Sequence, residues 1–336
     1  MLSTGHARAA RSSLQGSAAG AAAATDRLNV ALIVLCCLCA HLFPYQTLVG
    51  SYAILGPAHY LTEISWLHDR RYFARRRGVL PTMALLALIL GLTTVGVVGH
   101  QPWYGAAVVL LALVVAAALA ISMTAAATLL FGGVAMLALP GVQSHAAAVL
   151  LAMLVPTFIH VFFLTAAFML HGARRRKSAA GITSVIVLFA AGASFLLPFV
   201  PVAADPAGAG IAGFEAFRPV VELLNVSGTS VARITGLVGF AYLFHYVEWG
   251  AKVAVIGWAR VPVARMAAMA LVWVAVMACY AADFRAGFLL SLYLSQLHVL
   301  LEFPLNLKTI SGLAAWTGAG SNADRPTAHS SAASEN

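Results

Sequence analysis

Residues 79–99, VLPTMALLALILGLTTVGVVG, run their whole length without one charged side chain. A helix rises about 1.5 Å per residue, so about twenty apolar residues cross a hydrocarbon layer about 30 Å thick. A membrane β-strand needs only about ten residues and alternates in polarity, which this stretch does not. It reads as a membrane-spanning helix, and its neighbours repeat the pattern. Further apolar segments lie near 28–50, 57–69, 103–121, 122–139, 145–171, 179–201, 229–250, 262–282 and 285–303. The run 103–139 is too long for one span and divides near Ser122. Segment 57–69 is short, opens after Gly56 with Pro57, a favourable helix start, and ends on Asp69-Arg70-Arg71. It crosses the bilayer obliquely or lies along its surface. The expected fold is all-α, a polytopic transmembrane helical bundle of about nine or ten spans. The bundle occupies residues 27–312. An N-terminal tail, 1–26, and a small, polar C-terminal tail, 313–336, are expected to be disordered.

Composition points the same way. Of 336 residues, 61% are hydrophobic and 9% charged, with a mean hydropathy of +0.89. A soluble globule carries about 25% charged residues. A soluble enzyme, a disordered chain and a free nucleic-acid binder are excluded, so nucleic acid is not an expected partner. The net charge of +9 is read as orientation. Arg70, Arg71, Arg75, Arg76 and Arg77 form one basic group, and Arg174, Arg175, Arg176 and Lys177 a second. Lys252, Arg260 and Arg265 form a third, and Lys308 follows the last span. With the spans above, all four fall on one side, which the positive-inside rule makes the cytoplasm. The opposite loops, around His100, 140–145, 202–228 and 283–285, are poor in basic residues. The chain is expected in a membrane of the bacterial inner-membrane type. Cys36, Cys37, Cys39 and Cys279 all fall inside apolar runs, which argues against a disulfide framework or thiolate zinc site. Asn225-Val226-Ser227 is a glycosylation sequon short enough to arise by chance.

Charge within the spans carries the functional information. Asp26, Asp69, Asp205, Glu215, Glu222, Asp283, Asp324 and Glu335 lie in tails, loops or span ends. Only Glu63, Glu248 and Glu302 lie inside apolar helices. A carboxylate in lipid costs on the order of several kcal/mol unless it is paired, protonated or bound to metal. Each of the three follows a histidine by one helical turn: His59/Glu63, His245/Glu248 and His298/Glu302. Spacings of three and four put both side chains on one helix face. The following basic residues, Arg70, Lys252 and Lys308, place all three pairs near the cytoplasmic boundary. His68 and His171 fall at that level, each beside an arginine group. His160 shares a helix face with His171, three turns away. His41 lies deeper, with Pro44 and Tyr45 nearby. No role is expected for His6, His100, His145 or His329.

Imidazole with carboxylate favours iron, manganese or zinc, and inward-facing Glu and His from several helices is how helical bundles build metal–carboxylate sites. The candidate set is His59, Glu63, His68, His171, His245, Glu248, His298 and Glu302, for one or two ions. In one version the glutamates are ligands. In the other each glutamate holds the far ring N–H of its own histidine. Trp66, Trp249 and Trp258 flank the same boundary and read as an interfacial belt or as the wall of a substrate channel. Lys252 reads as a span-end residue that snorkels. There is no P-loop, G-x-S-x-G elbow or dinucleotide fingerprint.

The stretch Gly56-Pro57-Ala58-His59-Tyr60-Leu61-Thr62-Glu63 resembles the Gly-x-x-His-x-x-x-acid stretch of the Brp/Blh carotenoid-cleaving family. That family belongs to the membrane non-haem iron oxygenases, with the desaturases and lipid hydroxylases. The H-x-x-x-H and H-x-x-H-H boxes of the desaturases are absent. His298-Val299-Leu300-Leu301-Glu302 has a glutamate where such a box has its second histidine. The resemblance implies an oxygen-dependent reaction on an apolar substrate, with iron as cofactor. The expected function is thus a membrane-embedded metal-dependent oxygenase, hydroxylase or desaturase. Its substrate would be a lipid, isoprenoid or other apolar or amphiphilic molecule, with dioxygen and a cytoplasmic electron donor as partners. Zinc, manganese or haem would fit other uses of the same histidines. A haem-binding electron carrier and a proton-coupled transporter with His/Glu relays are the rival classes.

Overall fold

In the computed structural model, which describes residues 26–71, 78–94, 104–139, 158–203, 231–252 and 261–322, the first apolar run is not one helix. Helix α1 (Asp26–Leu42) stops at Phe43, and α2 (Pro44–Asp69) departs at 118° to it. Pro44 causes the break. Its ring cannot donate a backbone hydrogen bond, and it forces Phe43 out of the helical region, to φ −137° and ψ 61°. Thr47 Oγ1 donates to the carbonyl of Cys39 at 3.1 Å, satisfying an acceptor near the break. Segment 57–69 is therefore the second half of a long helix, which corrects its reading as a separate short piece. Within α2 the backbone widens to a π turn at Ser51–Leu55, just before Pro57, whose missing N–H and bulky ring a regular α turn would not accommodate.

The remaining described elements are helices too, with no strand among the described residues. They are α3 (Val79–Thr94), α4 (Tyr104–Ala120) and α5 (Met123–Leu137). A π-helical segment, Ile159–Leu164, leads into α6 (Thr165–Arg176). Then come α7 (Ala179–Ser194), α8 (Val231–Ala251), α9 (Val263–Ala282) and α10 (Phe284–Asn322). The division of the 103–139 run falls at Ser122, whose side chain caps α5 by accepting from the Ala125 N–H at 3.1 Å. Helix α10 continues past the expected boundary at 312. Residues 1–25 and 323–336, Arg75–Arg77, His100, His145, Trp258, Arg260 and the sequon at Asn225 lie outside the described residues.

Two stretches, Val263–Ala282 and Phe284–Gly312, are long and apolar enough to cross a membrane, and the bent pair α1–α2 makes a third. Helices α3, α4, α5 and α7 are apolar but shorter. The two long stretches differ in surroundings. Only 6% of the apolar window of α9 is buried, against 67% for that of α10. Helix α10 is central, packing against α2, α3, α4 and α9. Helix α9 instead presents Val263, Leu271 and Val274 outward, as α5 presents Phe131, a surface suited to a hydrocarbon solvent rather than water.

Two apolar cores flank the centre of the bundle. One gathers Tyr52, Tyr60, Phe162, Leu188, Phe240 and Phe244. The other gathers Leu67, Met83, Leu86, Val109, Leu300 and Leu301. Helices α2 and α10 contribute to both. Helix α8 lies close on the α1–α2 corner because Gly236 and Gly239 lack side chains. A Cβ at Gly239 would stand 3.0 Å from the Leu48 nitrogen, and one at Gly236 3.0 Å from the Ala40 carbonyl. Small residues allow such backbone approach without a gap. Asp26 accepts from Arg176 at 2.8 Å and Ser178 at 2.6 Å, tying the start of α1 to the α6–α7 turn. Asp69 accepts from Arg265 at 2.6 Å, tying the end of α2 to the start of α9.

Arg233 at the start of α8 secures the chain after α7. Its guanidinium donates to the carbonyls of Phe195, Leu197, Pro198 and Val200 at 2.7–3.4 Å. A planar fork with five donors can serve four acceptors, whereas an ammonium cannot. Arg233→Lys is therefore expected to cost about 2 kcal/mol, from hydrogen bonds to a charged donor. This would be read as a lower thermal midpoint in detergent, with metal content unchanged.

Candidate metal centre

The two π segments precede or contain three of the residues that matter most. His59 and Glu63 come from α2 one turn after its π turn, and His160 sits inside the π segment Ile159–Leu164. His245 comes from α8 and His298 from α10. A π turn shifts the register of every later side chain, and such turns are concentrated at functional sites. These five residues are buried, the most exposed being His245 at 8%. Their ligand atoms all lie within 4.8 Å of one another.

The distances decide what the group resembles. His59 Nε2 lies 3.0 Å from His245 Nε2 and 2.9 Å from Glu63 Oε2, and His160 Nε2 lies 3.2 Å from His298 Nε2. Around an ion with ligands at about 2.1 Å, atoms 90° apart are separated by about 3.0 Å and opposite ones by about 4.2 Å. Three of the separations thus match adjacent ligands of one ion, and the whole group, within 4.8 Å, is compact enough to hold a metal. Hydrogen bonds between rings account for less of the arrangement, because His59 Nε2 meets two other ligand atoms at once.

The far sides of the rings are unevenly served, with His59 Nδ1 and His298 Nδ1 buried without a hydrogen-bond partner. His160 Nδ1 is 2.8 Å from Glu302 Oε2, an ion-pair distance without hydrogen-bond alignment, and its Nε2 is turned to the centre. His245 Nδ1 is 2.8 Å from Thr165 Oγ1. Glu302 is fixed in turn by Asn306, whose Nδ2 donates to it at 3.1 Å. Glu63 and Glu302 are both buried against the same group of histidines. Buried carboxyls so placed call for a cation or a proton.

An aromatic shell packs the centre. Tyr60 stacks on His298 with centroids 4.4 Å apart, and its hydroxyl is 2.6 Å from that of Tyr246. Gly56 makes room for the Tyr60 ring, since a Cβ there would stand 2.8 Å from the Tyr60 hydroxyl. Trp249 meets His59 edge to face at 5.5 Å and Trp66 at 5.5 Å, and the Arg70 guanidinium lies 5.7 Å from the Trp66 ring. Trp249 therefore packs against the centre, and Trp66 lies behind it, between Trp249 and Arg70.

Of the residues the sequence singles out, His59, Glu63, His245 and His298 converge. Glu302 stands behind His160, on another helix, and does not hold its own His298. Glu248 is buried, but its Oε1 pairs with Lys252 Nζ at 2.6 Å, outside the five-residue group. His68 and His171 are exposed and do not join it. His68 follows His59 by nine residues, which at about 100° each puts it on the opposite face of α2. His171 lies eleven residues after His160, beyond the π segment and toward the exposed end of α6. His160 is the residue that the sequence-based set lacks. Its acidic partner is Glu302 from α10, so no local spacing marks it. His41 is occupied elsewhere, stacked on Phe195 at 3.9 Å and bonded to Ser194 at 2.8 Å.

No protein-family model, curated protein or solved structure matches the chain. Its chemistry is read from the centre itself.

Proposed function

We propose that the chain is an integral-membrane, mononuclear non-haem iron oxidoreductase of the oxygenase, hydroxylase or desaturase class. Its substrate is a lipid, isoprenoid or other apolar molecule. The observation that carries this reading is the convergence of four imidazoles and one carboxylate, buried and with their ligand atoms all within 4.8 Å of one another. Five such ligands would suit iron or manganese better than tetrahedral zinc. Nitrogens 3.0–3.2 Å apart leave no room for a porphyrin plane between them. A proton relay would spread its groups across the membrane, whereas these meet at one point.

When bound, the ion supplies dioxygen activation. The protein's own groups do the rest. Glu302 and Thr165 hold the rings of His160 and His245 in orientation. The two apolar cores keep water away from the centre. The ring series Trp66, Trp249 and His59 runs from Arg70 to the centre and suits electron entry from a cytoplasmic donor. The bundle sits in a bacterial-type inner membrane with this end at the cytoplasmic face. Two stretches and the bent α1–α2 pair are long enough to span, and the expected count of nine requires α3 to α8 to cross as well. The likeness of residues 56–63 to the Brp/Blh family supports the same class.

The test is oxygen uptake by detergent-purified, iron-loaded protein given a reductant and a membrane-lipid extract. The expected result is consumption above that of free iron, with a product carrying one inserted oxygen or a new double bond. Uptake no greater than the free-iron control, across acyl and isoprenoid substrates, contradicts the reading.

A further inference from the structure

Beside the metal centre, Tyr52 and Tyr60 of α2 meet Tyr242 and Tyr246 of α8. Tyr242 and Tyr246 are four residues apart and so share one helix face. The rings form a closed circuit. Centroids are 6.5 Å apart from Tyr52 to Tyr60, 5.8 Å from Tyr60 to Tyr246, 5.7 Å from Tyr246 to Tyr242 and 5.7 Å from Tyr242 to Tyr52. None of these residues is more than 8% exposed. Two of them touch the centre. Tyr60 stacks on His298 at 4.4 Å with the planes 24° apart, and Tyr246 lies 4.9 Å from His59 and 5.6 Å from His245. The hydroxyls of Tyr60 and Tyr246 are 2.6 Å apart.

Packing alone does not require these hydroxyls. Phe162, Phe240 and Phe244 fill the same core without a polar atom. Burying a hydroxyl costs free energy that its hydrogen bond roughly returns, so a phenol pair holds the bundle about as well as a pair of phenyl rings. What phenyl rings lack is chemistry. A phenol can give up one electron together with its hydroxyl proton, and the radical left behind is neutral, which leaves no charge in a low-dielectric site. The circuit also differs from the series Trp249–Trp66, which leads from His59 to the exposed Arg70. All of the circuit is buried, so it suits holding an oxidising equivalent rather than passing electrons to the surface.

We infer that the Tyr60–Tyr246 pair is a second redox site, which gives the metal centre one electron and one proton and holds the phenoxyl radical within the circuit. The inference rests on the metal-oxidoreductase reading, because the centre must first bind iron and admit an oxidant. The oxidant is a peroxide. Hydrogen peroxide takes up two electrons and two protons and becomes two waters. One electron and one proton come from the phenol pair. The second electron comes from bound ferrous iron and the second proton from solvent. The phenol O–H bond and the peroxide O–O bond break, and two O–H bonds of water form. The products are a neutral phenoxyl radical, ferric iron and water. The pair thus serves as an electron donor when no external donor is at hand.

The experiment is electron paramagnetic resonance of the full chain in detergent. The protein is loaded anaerobically with ferrous iron, mixed with an equivalent of hydrogen peroxide and frozen at once. Iron content, thermal midpoint and oxygen uptake are measured on the same preparations. Wild-type protein is expected to give a phenoxyl signal that narrows when the protein is made with ring-deuterated tyrosine. Iron-free protein is expected to give none. The double variant Tyr60→Phe, Tyr246→Phe is expected to lose the signal while keeping wild-type iron content and midpoint. Removing both members of a buried hydrogen bond leaves no orphan, and a phenyl ring keeps the stack on His298. Iron-loaded wild-type protein without a radical overturns the second site, and oxygen uptake at the expected level in that protein leaves the oxygenase reading standing. A signal unmoved by tyrosine deuteration, as an indole radical at Trp249 would give, also overturns the site. So does a signal undiminished in the double variant. Wild-type protein that binds no iron removes both readings.

Discussion

Protein carrying His298→Ala is expected to hold less than about a tenth of the metal held by the wild type. His298 supplies one of five ligand atoms, and its ring is locked by stacking on Tyr60. Loss of a partner that merely orients a ligand already weakens metal binding about 10–100-fold, and loss of a ligand should exceed that. His160→Ala is the sharper form of the test, because no acidic neighbour in sequence marks that residue and only the fold brings it to the centre. Glu302→Gln should weaken binding by about 10–100-fold, as expected for the group that orients His160. His68→Ala and His171→Ala should leave the content at the wild-type level, since both side chains are exposed and outside the group. Elemental analysis of detergent-purified protein reads all five variants. Equal metal in wild type and His298→Ala, or depletion in His68→Ala, contradicts the assignment.

Removal of the metal is expected to destabilise the bundle. Without an ion, four imidazoles and a carboxylate turn their acceptors toward one another in a buried site, at separations of 2.9–3.2 Å. An ion that binds only the folded chain stabilises it by about 2.7 kcal/mol at a free concentration of one hundred times its dissociation constant. At about 2 °C or more per kcal/mol, the thermal midpoint should fall by about 5 °C on chelation and recover on adding ferrous iron. The same titration on His298→Ala should give no recovery. A midpoint in wild type that ignores both chelator and iron would mean that the cluster is held by ring-to-ring hydrogen bonds alone.

The class of the fold is written in composition. Long uncharged runs without alternation read as helices in a hydrocarbon solvent, because a helix satisfies every backbone group within its own segment and barrel strands are shorter and alternate. The bend at Phe43 is less visible. Hydropathy is continuous across 28–50, and only Pro44, which cannot propagate a helix, betrays the break. At the centre, local spacing marks His59 with Glu63 as side chains on one helix face. The same logic fails for His298 and Glu302. They share a face, yet Glu302 reaches His160 on a different element. Three residues or four along a helix predict proximity to one another, not which neighbour across the bundle either will prefer. His160 carries no such mark and is reached only through the packing of the 159–164 segment against α8 and α10. Glu248 shows the complementary error. Its closest charge is Lys252, one turn on in the same helix, so an ion pair accounts for a carboxylate that burial alone would have made a ligand.

The central claim is that one ion sits where the five side chains converge. Elemental analysis with an absorption spectrum, on wild-type protein purified in mild detergent without chelators, tests it most directly. The account predicts close to one equivalent of iron per chain and no Soret band. A Soret band, or no bound metal even after reconstitution with ferrous iron, would contradict it.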